Sequence, residues 1–519
     1  MIYEVIIALI IGVLYFPLFG AFFAQDELFF FGIANEVKGF GVFRYFVPHT
    51  THYIPFTEIF SFLFYRLFGL EARYYFFLAI CGHIVLALIF YRILRLLSIS
   101  KKNSLITSLM FGLNSSIHQG VTWPLVSINI FGSSLLGLFS ILFFIRAVKT
   151  KKNRLYLVSS SILFLSLFFK ESVIGMFLFL IVLLFIFDKR RKPILFYLVS
   201  LFFYILFRIY LLINSKDVPL PIESQSVFEI LYNFLTFPPK IFFQTIIPNN
   251  FISYFHPEVR NWQFDALFMV AFVVLIFYIY KLYRSNKRLG YLNLVLIFLF
   301  FGIVNSPIYA FSPERVGLIT FVDSRNLYFP AFGYLSFFML FVSCVVKNKK
   351  TFIFFIILYF SLHILFLEKQ LIEQSHIGSL RKNILEEILA IYPDLPEKTV
   401  FLMLSDKSHY GLPDEIKIPP FQSGFGHTLL VFYEPYENFP SSFFEHDFLW
   451  PIDSQGYKKE GERGFGYFRN YGDMLTFIKD SSLDDGNVIA FAYKSDEKRV
   501  YDITENIRER IKADIDNID

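Results

Sequence analysis

The feature that most constrains this chain is a series of apolar stretches, each close to the length of a membrane span. A helix needs about 20 mostly apolar residues to cross a bilayer, and soluble domains do not carry such runs repeatedly. Eleven candidates stand near residues 2–23, 74–97, 103–117, 122–146, 154–170, 172–188, 193–213, 264–283, 289–310, 326–346 and 351–367. Only 18% of the residues are charged, against roughly 25% in soluble domains. A soluble globular enzyme, a disordered chain and a disulfide-rich secreted module are all excluded. The 72 Phe residues read as lipid-facing bulk, not as an aromatic binding site. Cys81 and Cys344 both fall inside apolar runs, so neither a disulfide framework nor a cysteine metal site is expected.

The net charge of +5 hides two opposite segments. From Glu368 onward there are 17 Lys and Arg against 28 Asp and Glu, whereas residues 1–367 hold 31 basic and 15 acidic residues. The sequence therefore divides into a basic transmembrane domain, 1–367, and an acidic soluble domain, 368–519. Met1–Ala24 reads as a retained helix rather than a cleaved signal peptide. Its start lacks Lys and Arg, it carries Glu4, and Phe22 breaks the small-residue cleavage pattern.

Basic clusters set the expected orientation. They are Arg92, Arg95, Lys101 and Lys102; Arg146, Lys149, Lys151, Lys152 and Arg154; Lys189, Arg190, Arg191 and Lys192; Lys281, Arg284, Lys287 and Arg288; and Lys347, Lys349 and Lys350. Placing all five inside gives a cytoplasmic N-terminus and an extracytoplasmic C-terminus. It also accounts for the basic surplus without nucleic acid as a partner. Residues 228–247 are apolar enough to span but contain Pro238, Pro239 and Lys240, and a crossing there would put the Lys281 cluster outside. The stretch 228–263 is therefore expected to be an outer helix or a re-entrant piece. The outer loops are then 24–73, 214–263 and 311–325.

Within the first outer loop, Tyr53–Leu70 is amphipathic, opened by Pro55 and closed by Gly69, and predicts a helix along the surface. Leu380, Ile384 and Ile388 keep helical spacing, so a long helix is expected from about 351 to 391. Beyond it, 399–404, 427–433, 488–493 and 499–503 predict short strands, the last two joined by a turn at Ser495-Asp496-Glu497. Ser423-Gly424-Phe425-Gly426 and Gly464-Phe465-Gly466 read as loops. The fold class expected is mainly α: a polytopic membrane helix bundle of about eleven spans with a small extracytoplasmic α/β domain at its C-terminus.

Few polar groups suggest chemistry. Asp26 and Glu27 directly follow the first span. Carboxylates at a membrane boundary are costly when they face lipid. The pair reads either as a general base, with or without a cation ligand, or as a solvated helix end. His49 and His52 are spaced to share a helix face and hold a metal. The flanking Pro48 and Thr residues instead favour a loop, leaving a phosphate, substrate or interfacial contact open. A metal site would draw on Asp26, Glu27 and His52, so a divalent cation remains an open cofactor. Lys170-Glu171 interrupts an apolar stretch at an outer turn. It is either a self-neutralising pair or a cation facing a phosphate. Arg325, ahead of Tyr328 and Pro330, can grip phosphate oxygens through its planar fork or act as an interfacial anchor. No Walker-type loop is present, which argues against an ATP-driven pump.

The order of these pieces resembles the GT-C class of glycosyltransferases that use polyprenyl-phosphate sugars, among them protein O-mannosyltransferases and aminoarabinose transferases. Asp26-Glu27 looks like the acidic pair those enzymes carry in the first outer loop. Tyr53-Ile54-Pro55-Phe56 through Phe68-Gly69 is similar to the Tyr-Arg-Pro-Leu…Phe-Gly stretch of the O-mannosyltransferases with tetratricopeptide repeats. Lys170-Glu171-Ser172 looks like the Lys-Glu turn of that branch, and Arg325-Asn326-Leu327-Tyr328-Phe329-Pro330 resembles its Arg-Tyr-Leu-Tyr-Leu-Pro segment. Glu27 stands where Asp is commoner, Asn326 stands for Tyr, and no tetratricopeptide pattern follows.

The resemblance implies a GT-C-like fold over residues 1–367 and an inverting glycosyl transfer on the extracytoplasmic face of a bacterial or archaeal plasma membrane. It implies a polyprenyl-phosphate-linked sugar donor and a hydroxyl acceptor on protein, lipid or glycan. Asp26 and Glu27 would be catalytic. Arg325 and Lys170 would bind the donor phosphate, and His49, His52, Tyr53, Glu171 and Tyr328 would contact substrate. Two other classes remain: a transporter or flippase of lipid-linked glycans, disfavoured by few charges within spans and no repeat, and a non-catalytic membrane scaffold.

Overall fold

The computed structural model describes residues 2–37, 39–47, 53–188, 190–214, 226–248, 251–252, 261–285, 289–311, 321–445, 448–481 and 483–516. Among them, eight helices are long and apolar enough to cross a membrane: Ile2–Gly20, Ala72–Leu96, Pro124–Thr150, Lys192–Asn214, Gln263–Arg284, Tyr291–Phe311, Ser324–Val345 and Lys349–Ile391. These coincide with eight of the eleven expected spans. The other three stretches form shorter helices: Lys101–Gly112, Asn153–Ser166 and Gly175–Phe187.

The first of the three is cut short by polar groups that take over from the helical ladder. After Gly112 the backbone turns, and Asn114 donates through its amide to the Tyr359 hydroxyl at 2.7 Å and to the Thr245 carbonyl at 2.8 Å. Ser115 Oγ lies 3.0 Å from His363 Nδ1. Irregular backbone is tolerated at membrane depth only where protein satisfies it, and these side chains do so. Asn153–Ser166 and Gly175–Phe187 are separated by the turn that carries Lys170 and Glu171.

The chain divides into two compact units, a larger one of Met1–Phe19, Tyr45–Phe60 and Phe76–Ile372 and a smaller one of Gly20–Arg44, Ser61–Tyr75 and Glu373–Asp519. In the larger unit, small hydroxyl residues let helices approach closely. Ser140 Oγ meets Ser159 Oγ at 2.9 Å, Tyr197 donates to Ser159 at 2.8 Å, and Ser160 meets Ser200 at 2.8 Å. The stretch with two prolines forms the helix Val227–Ile246, opened by a capping box of Ser226 and Glu229. The carbonyl of Pro238 accepts from the Tyr334 hydroxyl at 3.0 Å. Lys240, placed in that helix, is fully buried and pairs with buried Asp265 at 3.0 Å. Pro55–Phe68 is helical as its amphipathic pattern requires.

The smaller unit contains a five-stranded sheet ordered β2-β3-β1-β4-β5, with β1 Lys398–Ser405, β2 Gly456–Glu460, β3 Arg463–Phe468, β4 Val488–Lys494 and β5 Arg499–Asp502. β1 runs parallel to β3 and β4, while β2 and β5 add antiparallel edges. One face packs Val400, Leu402, Val488 and Ala490 against Met474 and Ile478 of the helix Tyr471–Ser481 and Ile507 and Ile511 of the helix Thr504–Asp516. The opposite face sets Phe401 beside Tyr433, and Tyr467 beside Phe425.

The expected strands 399–404, 488–493 and 499–503 are present, and the last two form the expected hairpin. Three expectations in the C-terminal segment fail. Phe425 and Gly426, expected in a loop, open the helix Phe425–Glu437. Residues 427–433 belong to the helix Phe425–Glu437. Every residue from Phe425 to Tyr433 is buried, and a run apolar on all sides shows no period that separates strand from helix. Gly464-Phe465-Gly466 is the middle of β3, not a loop. Its glycines leave room for the ring of Tyr457 on β2, which a Cβ at either position would strike.

Candidate functional site

In the larger unit, a cationic cluster forms at the start of the helix Ser324–Val345. This helix opens on Asp323 and Ser324. The Arg325 backbone N–H donates to Gln119 Oε1 at 3.2 Å, while Gln119 N–H donates to Ser324 Oγ at 3.2 Å. The Arg325 guanidinium lies 4.9 Å from the ring centre of Trp123 and 3.9 Å from the Asp323 carboxylate. Lys170 reaches the same helix turn, donating from Nζ to Asn326 Oδ1 at 3.4 Å. Two cations that are 155 residues apart in the chain thus meet at consecutive residues of one helix N-terminus. Such a terminus carries partial positive charge, so the cluster suits an anion with several oxygens. Glu171 is half-buried next to Lys170.

The other residues expected to contact substrate in this unit are less open. Tyr53 is buried and donates to the Phe46 carbonyl at 2.8 Å. Tyr328 is buried with its hydroxyl 2.6 Å from His83 Nδ1, and His83 Nε2 lies 3.1 Å from the Gly112 carbonyl. Its ring fills the space beside Gly120. Tyr328 thus braces the interior behind Arg325. His49 and His52 lie outside the described residues.

In the smaller unit, Asp26 and Glu27 stand where the helix Glu27–Glu36 begins, with Asp26 half-exposed at its N-cap. Glu27 is 0% exposed, and its Oε2 accepts from the Gln25 backbone N–H at 2.9 Å. Burial, reinforced by the neighbouring Asp26 carboxylate, pushes the Glu27 carboxyl up to about 8; Arg381 acts in the opposite direction. The pair is therefore asymmetric: a buried carboxyl that holds its proton near neutrality beside a half-exposed Asp26.

What holds this pair is the outer part of the long helix Lys349–Ile391. Arg381, 2% exposed, donates to the Gln25 carbonyl, to the Pro420 carbonyl at 2.9 Å and to the Tyr410 hydroxyl at 2.7 Å. Its guanidinium also lies over the ring of Phe421. The Gln25 amide donates to Gln374 Oε1 at 2.8 Å. Gly378 lets the backbone of Phe22 pass so close that any Cβ would strike it. On the other side, Phe29 packs edge-on to Trp450 with centroids 4.4 Å apart. The acidic pair is thus fixed from both sides by the C-terminal segment.

Sequence reasoning missed Arg381, Gln374, Gln119 and Trp123. Arg381 sits in a stretch read correctly as helix, where a charge reads as solvated. Gln119 and Trp123 carry no motif. The pair Lys240–Asp265, with the Tyr232 hydroxyl donating to Asp265 at 2.5 Å, was visible only as a lysine that spoiled an apolar stretch. Among the described residues, no group of three His, Cys, Asp or Glu side chains is arranged to hold a metal ion. No known family model and no curated protein matches the chain.

Proposed function

We propose that this chain is an integral-membrane inverting glycosyltransferase of the GT-C kind. It would move a sugar from a polyprenyl-phosphate donor to a hydroxyl acceptor on the extracytoplasmic face. The observation that carries the reading is that Lys170 reaches Asn326, the residue after Arg325, in the first turn of the helix Ser324–Val345. The sequence had nominated these two cations independently for one phosphate.

In the proposed step, a carboxylate base accepts the proton of the acceptor hydroxyl as that oxygen attacks the anomeric carbon, the role that the resemblance gives to Asp26. The bond from that carbon to the phosphate oxygen breaks on the opposite face, so the configuration inverts. Polyprenyl phosphate leaves with the electron pair, and Arg325 and Lys170 stabilise the charge that develops on it. Glu27, protonated near neutrality, keeps a second negative charge from Asp26. The donor is lipid-linked, which suits an enzyme facing away from cytoplasmic nucleotide sugars.

The test uses purified full-length protein in nanodiscs with a polyprenyl-phosphate hexose and a panel of hydroxyl acceptors. Release of polyprenyl phosphate coupled to sugar transfer is expected. Asp26→Asn should lower it by about 10²–10⁴-fold, the usual worth of a general base, while leaving binding of polyprenyl phosphate intact. Arg325→Gln should weaken that binding. Movement of the intact donor across vesicles without transfer would instead make the chain a transporter.

A further inference from the structure

The larger unit encloses a second feature that sugar transfer does not use. A cavity of about 200 Å³ lies among the helices Ala72–Leu96, Pro124–Thr150, Gly175–Phe187, Tyr291–Phe311 and Ser324–Val345. Its closed end is formed by Leu138, Phe301 and Phe332, all buried. Its mouth lies at the helix ends, where Leu96, Phe187 and Lys149 line it and are exposed. Lys149 is the one charged residue among the lining groups; all the others are apolar.

Three observations identify what fits. The apolar wall gives a polar solute no partner, and an apolar cavity of this order stays dry and takes hydrocarbon. From Leu138 to Lys149 the helix rises about 16 Å, which matches one leaflet's share of the roughly 30 Å hydrocarbon core. The helix ends around the mouth carry Arg92, Arg95, Arg146 and Lys149. Arg92 is already paired with Glu4 at 2.8 Å, and Lys149 donates only a long bond, 3.4 Å, to the Leu96 carbonyl.

We propose that this cavity is a binding site for an anionic glycerophospholipid. One acyl chain would lie between the helices and the phosphate would rest on Lys149. Under the orientation set by the basic clusters, the site opens to the cytoplasmic leaflet. It stands whether or not the chain transfers sugars.

The experiment titrates delipidated full-length protein with phosphatidylglycerol or phosphatidylcholine, counting bound lipid by native mass spectrometry. Wild type should hold one phosphatidylglycerol roughly fivefold more tightly than phosphatidylcholine, the preference expected of one lysine near an anionic headgroup. Lys149→Gln, an exposed change that leaves the fold alone, should erase the preference but keep the chain's weaker binding. Leu138→Phe, which fills the closed end, should reduce retention of both lipids. Equal binding of the two lipids by wild type, or an unchanged preference in Lys149→Gln, would overturn the site.

Discussion

Glu27 concentrates the electrostatics of the smaller unit in one side chain. Its carboxyl titrates near 8 in the fold, against 4.5 for the unperturbed group, because burial and Asp26 disfavour its charge. A group whose folded pKa is raised binds its proton more tightly in the native state. Stability is then greatest below the unfolded value and falls as pH rises through the window from 4.5 to about 8. The slope can reach about 1.4 kcal/mol per pH unit. Glu27→Gln keeps an acceptor for the Gln25 N–H and removes the titration. Melting of the variant, followed by circular dichroism from pH 5 to 9, should lack the wild type's decline across that window and exceed wild-type stability at the alkaline end. Lys240 and Asp265 pose the opposite case, a charge pair with neither member exposed beyond 2%. Lys240→Met alone should cost about 3–5 kcal/mol by stranding a buried carboxylate. The double change Lys240→Met/Asp265→Leu should recover much of that loss. A single variant as stable as the double one would show that the pair does not hold the helix Val227–Ile246 in place.

Contacts between elements explain which parts of the smaller unit were legible. β1, β4 and β5 alternate or cluster apolar residues between clear turns, so their sequence reads as strand. The long helix reads as helix because Ile384 and Ile388 are both fully buried along one stripe. The helix Phe425–Glu437 was illegible because it is covered on more than one side: Phe425 meets Tyr467 of the sheet, while His427 lies against Gly32 of the helix Glu27–Glu36. β3 was illegible because its glycines look like loop punctuation until Tyr457 is placed over them. The contact at Gly32 supplies a test. A Cβ there would lie 2.0 Å from His427 Nε2, and His427 is fully buried and held well below the usual imidazole range by burial, at about 3, so its ring is neutral. Gly32→Ala must push the two helices apart or displace the ring, an overpacking cost of about 1–3 kcal/mol. Loss of protease resistance in the Gly32→Ala chain, restored by Gly32→Ala/His427→Ala, is the expected outcome. Resistance equal to wild type would mean that the contact is loose.

Orientation belongs to the whole chain, and it turns on the short helices rather than the long ones. Among the described residues eight helices have spanning length, and an even number of crossings would return the C-terminus to the side of the N-terminus. The basic clusters predict the opposite. If residues 101–122 failed to cross, the cluster Arg92–Lys102 and the cluster Arg146–Arg154 would fall on opposite faces, against the positive-inside rule. The segment has only 12 residues in its first helix. Its broken part, however, is satisfied by Tyr359, Thr245 and His363, so the chain can continue through the bilayer beyond the helix end. The helices Asn153–Ser166 and Gly175–Phe187 form a consecutive pair around the Lys170 turn and leave the parity unchanged whether or not they reach the far side. The basic clusters therefore predict an odd number of crossings, which apolar length alone does not give because it cannot weigh a broken segment. The consequence is measurable in a chain whose two cysteines, Cys81 and Cys344, are first replaced by serine. A cysteine at exposed Lys459 of β2 should react with a membrane-impermeant maleimide in intact cells. One at exposed Lys102 should react only after the membrane is opened. Labelling of both positions from the same side would remove the crossing at 101–122, and with it the extracytoplasmic placement of the acidic C-terminal segment.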